Sequence, residues 1–235
     1  MCQMSPSDAA TAAANRWVWT DHIDQFRRER ARRRLNVVVA AIGLVVTAPL
    51  MLFIALAIKL TSRGPVFYRQ TRIGIDRRRH FGGNHRRETD FGGQPFSIYK
   101  FRTMEQRPAD LERWATPEDP RVTAVGRVLR KYRLDELPQL INVLNGDMNV
   151  VGPRPEQPAI FATLREQIAP YRIRQRVRPG ITGWAQINQS YDTCIEDVRR
   201  KVRYDLEYLE RQSVVEDLKI MLKTLPTVAL KRGAW

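Results

Sequence analysis

Residues 35–60 read LNVVVAAIGLVVTAPLMLFIALAIKL and carry no charge until Lys59. A helix rises 1.5 Å per residue, so this stretch reaches roughly 35–40 Å, enough to cross a bilayer core. Nothing else in the chain restricts the fold as much, because an uncharged run of this length calls for lipid rather than water. Basic residues flank both ends: Arg27, Arg28, Arg30, Arg32, Arg33 and Arg34 before it, and Lys59, Arg63, Arg69 and Arg72 after it. Cationic flanks favour the cytoplasmic side of a membrane, and one span cannot place both there. Pro49, at the midpoint, has no amide hydrogen and bends a helix. The expectation is a re-entrant hairpin that enters one leaflet, kinks at Pro49 and returns, preferred over a single span. Thr47 is placed to bond a carbonyl that the proline frees.

This segment divides the chain into a basic N-terminal tail (1–34), a re-entrant membrane helix (35–60) and one domain of ordinary size (61–235). Residues 1–20, rich in Ala, Ser and Thr, are expected to be loosely ordered. A formal net charge of +15 points to an anionic partner: nucleic acid, lipid headgroups or a phosphorylated substrate. Cys2 and Cys194 make no disulfide framework, and His22, His80 and His85 show no metal-ligand spacing with them. No secretory leader is expected, since the apolar run starts late and no cleavage site follows it.

In the domain, 65–74 and 95–104 read as two aromatic and β-branched strands around a long Arg/His/Gly loop, 76–93. Period two puts Lys100 and Arg102 on one face, turned either to phosphate or to water. Residues 122–132 form an amphipathic helix with Val125, Val128, Leu129 and Tyr132 inward. Another helix starts near Asp135 with Pro138 in its first turn. It shows Leu137, Leu140, Ile141 and Leu144 on its apolar face and stops at Asn145-Gly146. Residues 150–156 form a short strand entering a rigid turn, where Pro153 and Pro155 hold Arg154 for bidentate phosphate recognition. A basic helix over 160–178 suits an anionic membrane surface, and 178–188 is a ligand-facing loop. Two helices fill 195–230, with Asp217 among apolar neighbours. The fold class is α+β, a mainly helical domain with one small antiparallel β-hairpin.

Asp135 and Glu136 follow directly on Arg130, Lys131 and Arg133. Carboxylates at a helix start are favoured in their charged form, and two together among cations suit a divalent ion and a phosphorylated ligand. Equally, Asp135 can be an N-cap and Glu136 an exposed first-turn acid. The residues alone leave both open.

Taken in order, the Pro49 segment, SRGPVFYRQTRIG, YKFRTM, DPRVTAVGRVLRKYRLDELPQLINVLNGDM, VVGPRPE, RPGITGWAQIN and DLKIMLKT resemble the bacterial sugar transferases. These are monotopic phosphoglycosyl transferases, and the resemblance covers about residues 33–225. It implies transfer of a sugar 1-phosphate, glucose or galactose favoured, from a UDP-sugar to undecaprenyl phosphate. UMP is released, Mg²⁺ is required, and the reaction opens exopolysaccharide synthesis at the cytoplasmic face of the bacterial inner membrane. The same resemblance makes Asp135 the nucleophile that forms a covalent phosphosugar-aspartate. Glu136 becomes a metal ligand or acid/base group, with both acids near the metal. It assigns Lys100, Arg102 and Arg154 to phosphate, and matches Arg130 and Asp217 to positions of less defined role in substrate binding. Ala48 stands where many members carry Ser, Asn149 where they carry Ser, and the 76–93 loop is longer than in minimal members. Lacking the extra spans and soluble domain of longer relatives, the chain resembles the short form. The competing reading is a membrane-tethered nucleic-acid-binding or scaffold protein; no helix-turn-helix or RNA-binding motif supports it, and no nucleic acid is expected. Oligomeric state stays open, a homodimer at the membrane being one arrangement.

Overall fold

The computed structural model describes residues 6–76, 92–105, 119–189 and 194–229. It is mostly helical, with one long apolar helix and a small antiparallel sheet. The loop expected over 76–93 lies, for residues 77–91, outside the described residues.

Helix α1 runs Pro6–Thr61, beginning inside the stretch expected to be loosely ordered. The physical reason is composition: proline suits a first helical position, and alanine is the strongest helix former. The helix passes the expected boundary at 34/35 without a break and stays helical on both sides of Pro49. Thr47 Oγ1 does bond a carbonyl, at 2.7 Å, but it is that of Gly43. A hydroxyl reaches the carbonyl one turn back more readily than the one two residues back that Pro49 leaves open.

Buried positions on α1 fall in two groups, Arg32, Asn36 and Ala40, then Ile54 and Ile58, each spaced by one helical turn. Both groups bear on the same domain. The rest of the segment is bare: Val45 is 76% exposed, Phe53 68% and Leu60 77%. Only 11% of its most apolar window is buried, so this is not the core helix of a soluble protein. Apolar surface left this open is the mark of a membrane contact.

Strands β1 (Phe67–Ile73) and β2 (Pro95–Phe101) pair antiparallel, Phe67 opposite Phe101 and Ile73 opposite Pro95, as the strand pattern predicts. On the β2 side the buried amide of Asn142 stands in for a further strand. It accepts from Tyr99 N at 3.0 Å and donates to Ser97 O at 2.7 Å. Helix α2 (Ala124–Lys131) starts at Thr123, whose hydroxyl accepts from Gly126 N at 2.9 Å. Leu129 is buried as expected, but Val128 and Tyr132, expected inward, are 53% and 42% exposed.

Helix α3 spans Gln139–Asn145 and stops at Gly146, whose φ of 87° is the left-handed cap that glycine takes without strain. Its buried side carries Gln139, Asn142 and Val143. The leucines and Ile141 of the expected apolar face are only partly covered, with Leu144 at the surface. Strand β3 (Asn149–Val151) pairs in parallel with β4 (Gly180–Thr182), so part of the expected 178–188 loop is a strand, and α5 (Trp184–Asn188) is a helix. The two strands approach so closely that a Cβ on Gly180 would stand 2.1 Å from Gly152 N. The expected 160–178 helix divides into α4 (Pro158–Gln167) and a 3-10 helix (Ala169–Arg176). Ile168 between them takes extended backbone, and Pro170, in the first turn of the 3-10 helix, has no amide hydrogen to carry the α-helix on. Helices α6 (Ile195–Arg211) and α7 (Val214–Ala229) close the domain.

Candidate active site

Between α2 and α3 the chain makes a 3-10 turn, Leu134–Glu136. It is set up by Arg133, the only non-glycine with positive φ among the described residues, at φ 54°. Such backbone costs about 1–3 kcal/mol and persists only where neighbours over-determine it. Here Leu134 and Leu137 pack into a cluster with Ile54 and Ile58 of α1, Phe101 of β2 and Leu129 of α2. That packing seats the turn against α1, and both Asp135 and Glu136 are buried. Asp135 is neither an N-cap nor part of the α3 first turn, and Glu136 is not an exposed acid.

Lys100 Nζ and Arg154 Nη2 each bond Glu136 Oε1 at 2.7 Å. The structure thus joins three of the expected residues, from β2, the 3-10 turn and the Pro-Arg-Pro segment. Burial alone drives Glu136 toward its neutral form. The Arg154 guanidinium and the Lys100 ammonium outweigh it and hold the carboxyl well below the usual range. Asp135 goes the other way. Burial pushes its carboxyl up, the adjacent Glu136 charge adds to this, and Lys100, Arg130 and Arg154 oppose it without prevailing. Among the described residues no hydrogen bond or ion pair is made by the Asp135 side chain. Two adjacent acids pushed apart in this way can take different parts in one reaction.

Arg130 sits one turn upstream, its Nε on Thr103 Oγ1 at 3.0 Å, and its charge favours ionised Asp135. Arg102 is buried and turned away. Its guanidinium bonds Arg63 O at 2.6 Å and Ser62 O at 2.9 Å, capping the C-terminal end of α1. The strand ends at Phe101, so the alternation that places Lys100 no longer governs Arg102. Asp217 is fully buried, pairing Arg32 Nε at 2.9 Å and accepting from Tyr208 Oη at 2.7 Å. It joins α7 to α1 and α6. Pro49 lies exposed on α1.

Sequence reasoning missed the layer behind Arg154. Arg174 Nη2 donates to the Arg154 carbonyl at 3.0 Å while its Nε pairs Asp205 Oδ2 at 2.6 Å, with both side chains only 2% exposed. Lys201 Nζ pairs Glu156 Oε1 at 2.9 Å, and Arg72 Nη1 reaches the Pro155 carbonyl at 3.3 Å. Glu156 resists its burial because Lys201, Arg174 and Arg72 lower its carboxyl to about 2. One signal was available: Asp205 falls on the same helical face as the buried Val202 and Tyr208, where an unpaired acid is not tolerated.

Among the described residues no three His, Cys, Asp or Glu side chains cluster as a metal cage. The pair nevertheless fits magnesium, which binds through one or two carboxylates and takes its other ligands from phosphates and water. Glu136 already holds two cations, so the Asp135 carboxylate is the better placed oxygen donor.

The bacterial sugar transferase family model matches residues 27–231. The chain is 43% identical over 197 residues to the UDP-glucose:undecaprenyl-phosphate glucose-1-phosphate transferase of Escherichia coli (strain K12), covering 83% of this chain and 39% of that protein. It is 40% identical over 204 residues to the UDP-N-acetylgalactosamine-undecaprenyl-phosphate N-acetylgalactosaminephosphotransferase of Aeromonas hydrophila, covering 86% and 44%. The exopolysaccharide production protein ExoY of Sinorhizobium fredii (strain NBRC 101917 / NGR234) is 35% identical over 221 residues, covering 87% and 88%. The chain therefore spans about two fifths of the first two relatives and most of the third.

Proposed function

The chain belongs to the bacterial sugar transferase family, and on that premise we propose that it transfers a sugar 1-phosphate from a UDP-sugar to undecaprenyl phosphate. The observation that carries this reading is the turn itself: a buried Asp135 without a partner among the described residues, beside a Glu136 gripped by Lys100 and Arg154. An Asp135 oxygen attacks the β-phosphorus of the donor. The bond from that phosphorus to the bridging oxygen breaks, and UMP leaves with the electron pair. The sugar phosphate is then held as a mixed anhydride on Asp135. An oxygen of undecaprenyl phosphate attacks the same phosphorus, frees the carboxylate and forms the lipid diphosphate sugar. Lys100 and Arg154 keep cationic charge where the donor's diphosphate arrives, and Glu136 holds both in place. Asp135 and Glu136 would hold a magnesium ion, which would neutralise the diphosphate charge that otherwise repels a carboxylate.

Glucose is the proposed sugar, since the 43% identical relative is named for it; galactose and N-acetylgalactosamine are the competitors. The product opens exopolysaccharide assembly, in keeping with the relative named for that process. The proposed location is the cytoplasmic face of the inner membrane, with α1 entering and returning through one leaflet by bending at Pro49. Support comes from both halves of α1 burying residues against one domain, and from basic flanks at both ends that favour the same side.

The test is UMP release by detergent-solubilised protein with Mg²⁺, undecaprenyl phosphate and a panel of UDP-sugars, beside Asp135→Asn. Release with one donor, lost in the variant, is the expected result. Undiminished release by Asp135→Asn would end the covalent mechanism.

A further inference from the structure

Beside the carboxylate turn lies a groove of about 280 Å³, lined by Leu137, Leu140, Ile181, Ile187 and, from α7, Thr224 and Thr227. Two features single it out. Glu136 is among its lining residues, so it borders the site described above. Its outer lip is continuous with apolar surface that no protein covers. Tyr132 at the end of α2 also lines the groove, and Val128 stands one turn behind it, 53% exposed. On α7 the exposed Leu218, Leu222 and Leu225 fall on the helix face opposite Thr224 and Thr227, so the groove's own apolar exit is on the α2 side. Leu140 links the groove to the membrane helix: a Cβ on Gly43 of α1 would stand 3.1 Å from its Cδ1.

We propose that this groove takes the first isoprene units of the lipid phosphate acceptor, delivering its phosphate to the Glu136 side of the site. The inference rests on the transferase reading and adds where the lipid lies. An acceptor phosphate needs cations, and Lys100 and Arg154 both bond Glu136. Its chain needs an apolar path out of lipid, and Tyr132, which lines the groove, with the exposed Val128 one turn behind it provides one. The volume lies just below the range of ordinary ligand pockets, which suits the head of a long chain and leaves the rest in the bilayer. This also explains why Leu137, Leu140, Ile141 and Leu144 are not the buried side of α3: that face looks toward the lipid.

The experiment is direct binding, by calorimetry on the full chain in detergent, of soluble prenyl monophosphates with one, two and three isoprene units. The dissociation constant is expected to fall about tenfold or more as the second unit is added, because each buried carbon removes apolar surface from water. Thr227→Trp, which fills the groove from α7, removes that gain, and Thr227→Ala keeps it. Equal affinity for all three lengths in the wild type overturns the proposal, as does a gain that survives Thr227→Trp in a variant with an unchanged thermal unfolding profile. Failure here is distinct from failure of the transferase reading. A length-dependent gain without UMP release keeps the groove and removes the reaction; UMP release without the gain does the reverse.

Discussion

Replacing Lys100 by methionine separates two jobs that one ammonium performs. Lys100 and Arg154 both bond Glu136 Oε1, so after the substitution Glu136 keeps one cation. The stability cost is that of one hydrogen bond to a charged group, about 1.5–3 kcal/mol. It stays below the roughly 3–5 kcal/mol expected for a buried charge left with no partner. The second job concerns Asp135. Lys100 is the strongest influence favouring its ionised form, acting against burial and against the charge of Glu136. Lys100 is itself 18% exposed, which places its effect toward the lower end of such interactions, about 1–2 kcal/mol. Attack requires the carboxylate, so activity rises with pH as Asp135 loses its proton. Removing Lys100 raises that proton affinity further and moves the acid limb of the pH profile upward. The expected result is about a five- to thirtyfold loss of initial UMP release on the acid side, shrinking as pH rises. Lys100→Arg keeps the charge and should restore most of the profile. The assay is the single-turnover rate of UMP release against pH, with the donor saturating. A uniform loss in Lys100→Met at every pH, with the acid limb unmoved, would refute the electrostatic reasoning and leave Lys100 as a donor-binding residue alone.

Three further outcomes follow from the same geometry. Because burial raises the Asp135 carboxyl, its stabilising contribution is complete below the unfolded value and is lost as pH rises through the folded one. Asp135→Asn should therefore unfold at a higher temperature than wild type near neutral pH, while transferring nothing; equal or lower stability refutes this. Glu156 has the opposite sign: its carboxyl is lowered to about 2, so its contribution is present above the usual glutamate value and fades as pH falls toward 2. Lys201→Met should flatten that acid dependence of thermal unfolding and cost about 1.5–3 kcal/mol at neutral pH; an unaltered pH profile counts against the pair. Arg32→Met leaves the buried Asp217 carboxylate with the Tyr208 hydroxyl as its side-chain partner, a loss of about 3–5 kcal/mol in denaturant unfolding. The double variant Arg32→Met with Asp217→Leu should cost less than the sum of the two single changes, and strict additivity would show that the pair does not couple.

Much of this architecture is legible in the sequence because it is local. A run of uncharged residues, alternating aromatic strands, the Thr123 cap and the left-handed Gly146 are each decided by neighbours within a few positions. The adjacency of Asp135 and Glu136 is written in the chain, and so are the prolines that stiffen the turn around Arg154. Pro170 was legible too, and its break of the 160–178 helix is a local effect that helical composition concealed.

What the tertiary structure alone decided is which charges meet. Glu136 takes its partners from 36 residues upstream and 18 downstream, and Arg174 finds Asp205 across 31. Lys100 and Arg102 look alike in the chain, yet one faces the carboxylates and the other caps a helix end. Asp217, which the family pattern drew toward the substrate, pairs an arginine 185 residues away. The parallel pairing of β3 and β4 is equally silent in the sequence, since three-residue strands carry no periodicity. Local backbone preferences act on nearest neighbours, so they can be read in order along a chain. A buried charge is settled instead by whichever opposite charge the finished packing brings within reach, and that exists only once the distant segments have closed on one another.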